Sequence, residues 1–102
     1  MIDLSADEWT QSEYLTNKRV LADQGVRVLL IDTILNGIHG AESITYNPPL
    51  MRQEPAGSVF VFYCDSGKSS RERLGEFRAK FPDHICISLK GGRGYWRKNL
   101  QV

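Results

Sequence analysis

The sequence predicts a small α/β domain in which helices flank both faces of a central, mainly parallel sheet. Two continuous apolar runs, "VRVLLIDTI" and "SVFVFYC", predict strands that are covered on both faces, as the strands of a parallel sheet are. Between the second run and the shorter strand "HICISL", Leu74, Phe77 and Phe81 follow one another at helical spacing. Strands that alternate with helices are typical of this fold class.

The size and composition indicate one globular domain, residues 1–102. A chain of 102 residues buries enough surface to fold without a metal or disulfides, and 41% hydrophobic with 25% charged residues is ordinary for a globular protein. No apolar run approaches the length of a membrane span, and no basic-then-apolar leader follows Met1. We therefore expect a cytoplasmic protein that does not contact a membrane.

Shorter elements are predicted from capping and breaking residues. Ser5 stands three residues before Glu8, the spacing of a capping box, and predicts a helix that starts near Ser5. A short strand is predicted at 43–46, before a Pro-Pro pair. One helix is predicted over 69–81, and a last helix is predicted over "RGYWRKNL".

The charges are unevenly distributed along the chain. Residues 1–63 carry four Lys or Arg and eight Asp or Glu. Residues 64–102 carry nine Lys or Arg and four Asp or Glu. A basic half that begins at Cys64 favours an anionic substrate or an acidic partner, although solvated basic helix faces would give the same count. The basic residues of "RGYWRKNL" allow both interpretations. No nucleic-acid-binding signature is present, and we expect no nucleic acid partner.

The chain has two cysteines, and both are expected to be thiols in a reducing compartment. Cys86 lies inside the strand "HICISL" and is interpreted as an inert core residue. His39 and His84 form no paired ligand spacing with the cysteines, so we expect no metal site and no cofactor. His39 is interpreted as a structural residue of a loop.

Cys64 stands where the strand "SVFVFYC" ends and a loop of small polar residues begins. Ligands of open α/β sheets bind at the carboxyl ends of strands. Gly67 allows a tight loop whose amides can surround an anion, and the following helix adds the positive end of its dipole. The hydroxyl groups of Ser66, Ser69 and Ser70 can donate to the same anion. We expect this loop to lower the pKa of Cys64 below its free value of about 8.5 and to make it a nucleophile.

Two known anion-binding loops do not match. The nucleotide-binding P-loop shares Gly67, Lys68 and Ser69 with this chain but needs a further glycine where Phe62 stands. Cysteine-dependent phosphatases have an arginine, which grips the phosphate, at the position of Ser70, and here the arginine comes one residue later. A phosphatase or an arsenate reductase that uses the same loop is the weaker alternative.

The spacing Cys64-x-x-Gly67-x-x-Ser70 at the end of a strand resembles the active-site loop of the rhodanese family of sulfurtransferases. Three other segments, in the family's order, are similar to its patterns. They are "VLLIDT", a strand that ends in Asp32; "GIHGAESI", with Gly40, Ala41 and Ile44; and "LKGGRGYW", with Gly91, Gly92 and Trp96. Together the four segments lie within residues 28–100.

The resemblance implies a small rhodanese-like domain that acts as a sulfurtransferase. Such enzymes take a sulfane sulfur from thiosulfate or a persulfide onto the loop cysteine, hold it as a persulfide and pass it to a thiophilic acceptor. Cys64 would be the nucleophile, Arg71 a candidate contact to substrate charge, and the partners a small anionic sulfur donor or a protein persulfide or thiol. The substrate-binding loop that the resemblance implies consists of Asp65, Ser66, Gly67, Lys68, Ser69 and Ser70.

The chain departs from the family's pattern at several points. Many members have arginines at the positions of Ile34 and Ser69, the second loop position is the acidic Asp65, and "GIHGA" is one residue short. These departures motivate the alternative of a rhodanese-like module that binds or regulates proteins with weak or no catalysis. Asp32 is interpreted as a strand-end residue that holds a loop.

Overall fold

Five short segments of the chain form one parallel sheet. The structure, a computed structural model, describes residues 2–100. The strands are Glu8–Trp9 (β1), Val28–Asp32 (β2), Ile44–Thr45 (β3), Val59–Tyr63 (β4) and Ile85–Leu89 (β5), and they lie in the order β1-β5-β4-β2-β3. Every pairing in this sheet is parallel, which confirms the predicted central parallel sheet.

The helices connect these strands and cover the sheet. They are Gln11–Asp23 (α1), Pro48–Met51 (α2), Lys68–Glu72 (α3) and Leu74–Lys80 (α4), and a single 3-10 turn follows at Arg93–Tyr95. Across residues 2–100, no helix combines the length and the apolar character that crossing a bilayer requires.

The side chains of β4 alternate between the two faces of the sheet, and all five are fully buried. Tyr63 packs on one face with Tyr14 and Leu21 of α1. Phe62 packs on the other face with α4, where its ring stacks on Phe77 with 4.0 Å between the centroids. Helices on both faces are therefore confirmed, and they explain why this strand is apolar along its whole length.

The predicted helix start near Ser5 is wrong. β1 follows instead, with Trp9 paired to β5 and only 1% exposed, and α1 begins after it. The N-cap is Thr10, whose Oγ1 accepts from the Glu13 N–H at 3.2 Å, while the Glu13 carboxylate accepts from the Thr10 N–H at 2.8 Å. The capping box is thus real but lies further along the chain, because burying Trp9 at the sheet stabilises a strand before the helix.

We expect Thr10→Ala to lower the free energy of unfolding by about 1 kcal/mol, because the Glu13 N–H then loses the Thr10 Oγ1 acceptor at the helix start. Urea unfolding followed by circular dichroism measures the change. Ser12→Ala, which removes an exposed hydroxyl group from the same turn, is the matched control and should change the value much less. Equal effects of the two substitutions would contradict the capping role.

Two further helix predictions need correction. The helix predicted over 69–81 is two helices, α3 and α4, which meet at Arg73 with ψ of 1°. Both helices contact β5 of the sheet. The helix predicted over "RGYWRKNL" is a single 3-10 turn, and Trp96 after it is extended. The N–H groups of Arg93 and Gly94 donate to the loop that follows β4, which ties this segment to that loop.

Candidate active site

Cys64 directly follows β4, the middle strand of the sheet, and is 3% exposed. The chain then turns at Gly67, and α3 begins with the next residue. Gly67 has a φ of +88°, and a Cβ at this position would lie 2.7 Å from the Gly91 nitrogen. Both the backbone conformation and the close approach of a second loop therefore require glycine here.

Two backbone amides and one hydroxyl group surround the Cys64 sulfur. The Gly67 N–H donates to Sγ at 3.1 Å, the Ser70 N–H donates at 3.4 Å, and Ser70 Oγ lies 3.5 Å from Sγ. The thiol can donate to Ser70 Oγ, whereas a thiolate accepts from it, so one geometry serves both protonation states. We call Cys64, Gly67 and Ser70 with these groups the thiol cradle.

Burial raises the pKa of Cys64, but the hydrogen bonds outweigh it. The Ser70 hydroxyl lowers the pKa most, followed by the N–H groups of Ser70, Gly67 and Ser66. The net result is a pKa of Cys64 below the ordinary value for a cysteine. A larger fraction of this residue is therefore thiolate at neutral pH, and thiolate is the nucleophilic form.

A buried serine of β5 completes the site, and the sequence analysis missed it. Ser88 Oγ lies 2.7 Å from Ser70 Oγ, and both residues are at most 1% exposed. When the Ser88 hydroxyl donates to Ser70 Oγ, the single Ser70 hydroxyl proton can point either at the Cys64 sulfur, at 3.5 Å, or at the Gly67 carbonyl oxygen, at 3.4 Å, and a thiolate favours the first. The available signal was a serine inside the apolar run "ICISL", because a buried hydroxyl group needs a partner.

The glycine pair that follows β5 packs its backbone against the thiol cradle. A Cβ on Gly92 would lie 2.3 Å from the Cys64 carbonyl oxygen and 2.7 Å from the Gly67 nitrogen. Just beyond the pair, the Arg93 N–H donates to this Cys64 oxygen at 2.8 Å. Backbone-to-backbone contact of this kind leaves no room for a side chain, which gives the "GGRGYW" segment a physical role beside the cysteine.

The other residues of the predicted substrate-binding loop lie at its rim. Asp65, Ser66, Lys68 and Ser69 are exposed. Ser66 Oγ accepts from the Lys68 N–H at 3.3 Å, which stabilises the turn. The structure thus places these four residues around the thiol cradle, and their contact with a substrate stays a prediction.

Three residues singled out in the sequence are engaged elsewhere or exposed. The Arg71 guanidinium lies 3.0 Å from Asp7 and 3.9 Å from Glu8, so its charge is shared with two carboxylates. The Asp32 carboxylate accepts from two amides of the loop after β2, at 2.8 Å each, in the loop-holding role predicted for it. His39 is exposed in a turn. Contact between Arg71 and a substrate also stays a prediction.

An open cleft of about 840 Å³ lies beside the thiol cradle, and we call it the loop cleft. The residues that line it include Ser66, Gly67, Lys68, Lys90, Tyr95 and Arg97. Gly67 lines this cleft and its N–H also donates to Sγ, so Gly67 is the residue that lies between the loop cleft and the sulfur. A second cleft, of about 650 Å³, lies at the start of β2 and contains none of the predicted site residues.

Cys86 has the surroundings of a core thiol. It is 2% exposed, and burial raises its pKa to about 11, opposed by the charge of Arg78. The pKa values of Cys86 and Cys64 therefore move in opposite directions from the ordinary thiol value. This confirms that Cys86 is a buried core residue.

At pH 7.5 we expect limiting iodoacetamide to modify Cys64 at least about tenfold faster than Cys86. The pKa values lie on opposite sides of 9.0, so thiolate is far scarcer at Cys86, although thiolates of higher pKa are intrinsically better nucleophiles. Peptide mapping by mass spectrometry measures the two rates. Cys86→Ala should leave the fast reaction in place, and equal labelling of both residues would contradict the pKa directions.

Within residues 2–100, no group of three His, Cys, Asp or Glu side chains is positioned to hold a metal ion. Comparison with protein-family models, with curated proteins and with solved structures finds no match to this chain. The thiol cradle and the loop cleft are therefore the features of this chain that bear on its function.

Proposed function

We propose that this protein is a group-transfer enzyme that works through a cysteine thiolate. The particular activity that we infer is that of a rhodanese-type sulfurtransferase, with Cys64 as the carrier of a sulfane sulfur. The observation that carries the proposal is the convergence of the Gly67 and Ser70 N–H groups on one sulfur atom at 3.1 and 3.4 Å. Amides held in this way stabilise a negative charge at Sγ before any substrate arrives.

The proposed cycle has two displacement steps. The Cys64 thiolate attacks the outer sulfur of a persulfide R–S–SH; an S–S bond forms between Cys64 and that sulfur, the S–S bond of the donor breaks, and R–S⁻ leaves. With thiosulfate as donor, the leaving group is sulfite. A thiophilic acceptor then attacks the outer sulfur of the Cys64 persulfide, and the Cys64 thiolate is the leaving group. The sulfane sulfur is transferred without net oxidation or reduction, so no external oxidant or reductant is needed.

The thiol cradle assists both steps for one electrostatic reason. In the first step it holds Cys64 as thiolate, and in the second it stabilises the same thiolate as it leaves. The Ser70 hydroxyl, backed by Ser88, can donate to the negative sulfur in each case. Cys64 and Cys86 are both free, and a reducing compartment would keep them so.

The charges at the rim favour a persulfide over free thiosulfate as donor. Asp65 is exposed on the loop, and the charge of Arg71 is shared with Asp7 and Glu8. On the loop itself, Lys68 is the one cation left to attract a doubly charged anion and Asp65 opposes it, whereas a persulfide carries less charge to the sulfur. We expect a higher kcat/KM for a low-molecular-weight persulfide than for thiosulfate.

Intact-mass spectrometry tests the proposal. The protein is incubated with glutathione persulfide or with thiosulfate, and we expect a gain of one sulfur atom that cyanide removes as thiocyanate. Cys64→Ser should gain no sulfur, whereas the matched variant Cys86→Ser should load like the parent protein. If no donor loads Cys64, the sulfurtransferase is wrong. The binding or regulatory module then becomes the better interpretation, and Cys64-dependent hydrolysis of an aryl phosphate would instead favour a phosphatase.

A further inference from the structure

We propose that the sulfur partner of this site is an acidic polypeptide segment that lies in the loop cleft and presents its own thiol or persulfide to Cys64. The inference rests on the proposed sulfur transfer, and it goes further because it names the class of partner and the residues that select it. Three observations carry it: the size of the cleft, its charges and one exposed aromatic ring.

The size of the loop cleft exceeds what a small sulfur anion needs. About 840 Å³ lies in the range of pockets that hold ligands of drug size, whereas thiosulfate is an ion of a few atoms. Cys64 itself is only 3% exposed, so the reacting end of a partner must be narrow. A peptide satisfies both conditions, because its backbone fills the cleft while a single sulfur reaches past Gly67.

The charges of the loop cleft favour an acidic occupant. Four cationic side chains line it, against the carboxylates of Glu8 and Glu72. Three of the cations, Lys68, Lys90 and Arg97, have no carboxylate of residues 2–100 within 4.0 Å. Their charges are therefore available to a partner, and they attract an acidic segment.

Tyr95 supplies the apolar contact. Its side chain is 78% exposed although it is a large aromatic residue, and it lies beside Gly91, where an added Cβ would be 2.5 Å from the ring atom Cδ2. A tyrosine side chain offers a large contact area with little loss of side-chain freedom on binding, because it has only two rotatable side-chain angles. Such residues are enriched among those that contribute most to protein interfaces.

A nucleic acid is the other polyanion that a basic and aromatic surface could bind. Glu8 and Glu72 stand in the same lining and oppose a continuous phosphate backbone, whereas a peptide can place its carboxylates beside the cations only. A nucleic acid also carries no thiol for the transfer step. In that step the partner's thiolate attacks the outer sulfur of the Cys64 persulfide, the S–S bond to Cys64 breaks, and the partner becomes the persulfide.

Binding is tested first, with Cys64→Ser so that no sulfur can react. Fluorescence anisotropy compares a labelled acidic peptide that contains one cysteine with a matched peptide in which Asn and Gln replace Asp and Glu. We expect the acidic peptide to bind about tenfold more tightly at low salt, and a Lys90→Gln/Arg97→Gln pair to remove this preference. The control pair is Arg52→Gln/Lys80→Gln, two exposed cations that meet where α2 and α4 end, and it should keep the preference. Equal binding of both peptides, or tighter binding of a single-stranded RNA of equal charge, overturns the proposal.

Sulfur transfer separates this inference from the proposed function. The sulfur-loaded parent protein is mixed with each peptide or with cyanide, and the discharge rates are compared. A rate about tenfold higher for the acidic peptide supports the inference. Normal discharge to cyanide with equal rates for the two peptides overturns the inference and leaves the sulfurtransferase intact. Failure to load any sulfur, with selective binding of the acidic peptide by Cys64→Ser, overturns the sulfurtransferase and leaves the acidic docking surface.

Discussion

Replacing Gly92 with alanine is expected to disrupt the thiol cradle and to lower the free energy of unfolding by about 3 kcal/mol. Gly92 has φ of 58° and ψ of −153°, a conformation that side chains do not readily allow. An added Cβ would lie 2.3 Å from the Cys64 oxygen and 2.7 Å from the Gly67 nitrogen. Because both neighbours are backbone atoms, neither can turn aside, and one of the two loops must move.

The displacement should appear in two measurements, urea unfolding and the rate of Cys64 alkylation at neutral pH. The rate should fall, because the Gly67 amide no longer points at the sulfur. Gly75→Ala is the matched control: Gly75 lies in α4 with open space around its added Cβ, and the helix should gain up to about 1 kcal/mol. A Gly92→Ala protein with parental stability and parental alkylation would show that the two loops do not constrain each other.

Ser70→Ala is expected to have the second largest effect, this time on reactivity. The Ser70 hydroxyl contributes the largest lowering effect on the pKa of Cys64, so its loss should raise that pKa. The alkylation rate at pH 7 should fall about tenfold, the effect of removing one hydrogen bond to a charged group. The pH at which alkylation reaches half its maximum rate should move upward, since the thiolate then forms only in more alkaline solution.

Two neighbouring serines make the Ser70 experiment specific. Ser69→Ala removes an exposed hydroxyl group from the same turn and should leave the pH profile unchanged. Ser88→Ala removes the group that lies 2.7 Å from Ser70 Oγ, and it should shift the profile in the same direction by a smaller amount. If Ser70→Ala and Ser69→Ala give the same profile, the hydroxyl group does not stabilise the thiolate.

The strands that the sequence predicted well are those whose burial forces a simple pattern. β2, β4 and β5 are covered on both faces, so each is an apolar run, interrupted only by Asp32 at the end of β2 and by Ser88 in β5. β1 has only two residues, and its Trp9 among polar neighbours is equally compatible with the start of a helix. The capping-box spacing occurs twice near this point, and local sequence does not decide between the two. Only the pairing of Trp9 with Leu89 does so, and that contact joins distant parts of the chain.

The site was predictable as far as it is local. Cys64, Gly67 and Ser70 belong to one turn, and the small polar residues between a strand and a helix predicted a loop that surrounds the sulfur. Ser88 and Gly92 come from β5 and the loop after it, and their contacts depend on the order of strands in the sheet. The glycine pair was recognised as part of a pattern, but its packing against the Cys64 loop follows only from three-dimensional proximity.

The place of β1 beside β5 joins the first and the last strands of the chain. The Ser88 and Lys90 N–H groups donate to the Asp7 and Trp9 oxygens, so an early segment holds the strand that leads into the glycine pair. β5 thus pairs with β1 on one side and with β4 on the other. A chain cut short before β5 would retain Cys64, Gly67 and Ser70, but it would lack the Ser88 hydroxyl group behind Ser70 and the Gly92 backbone against the Cys64 loop.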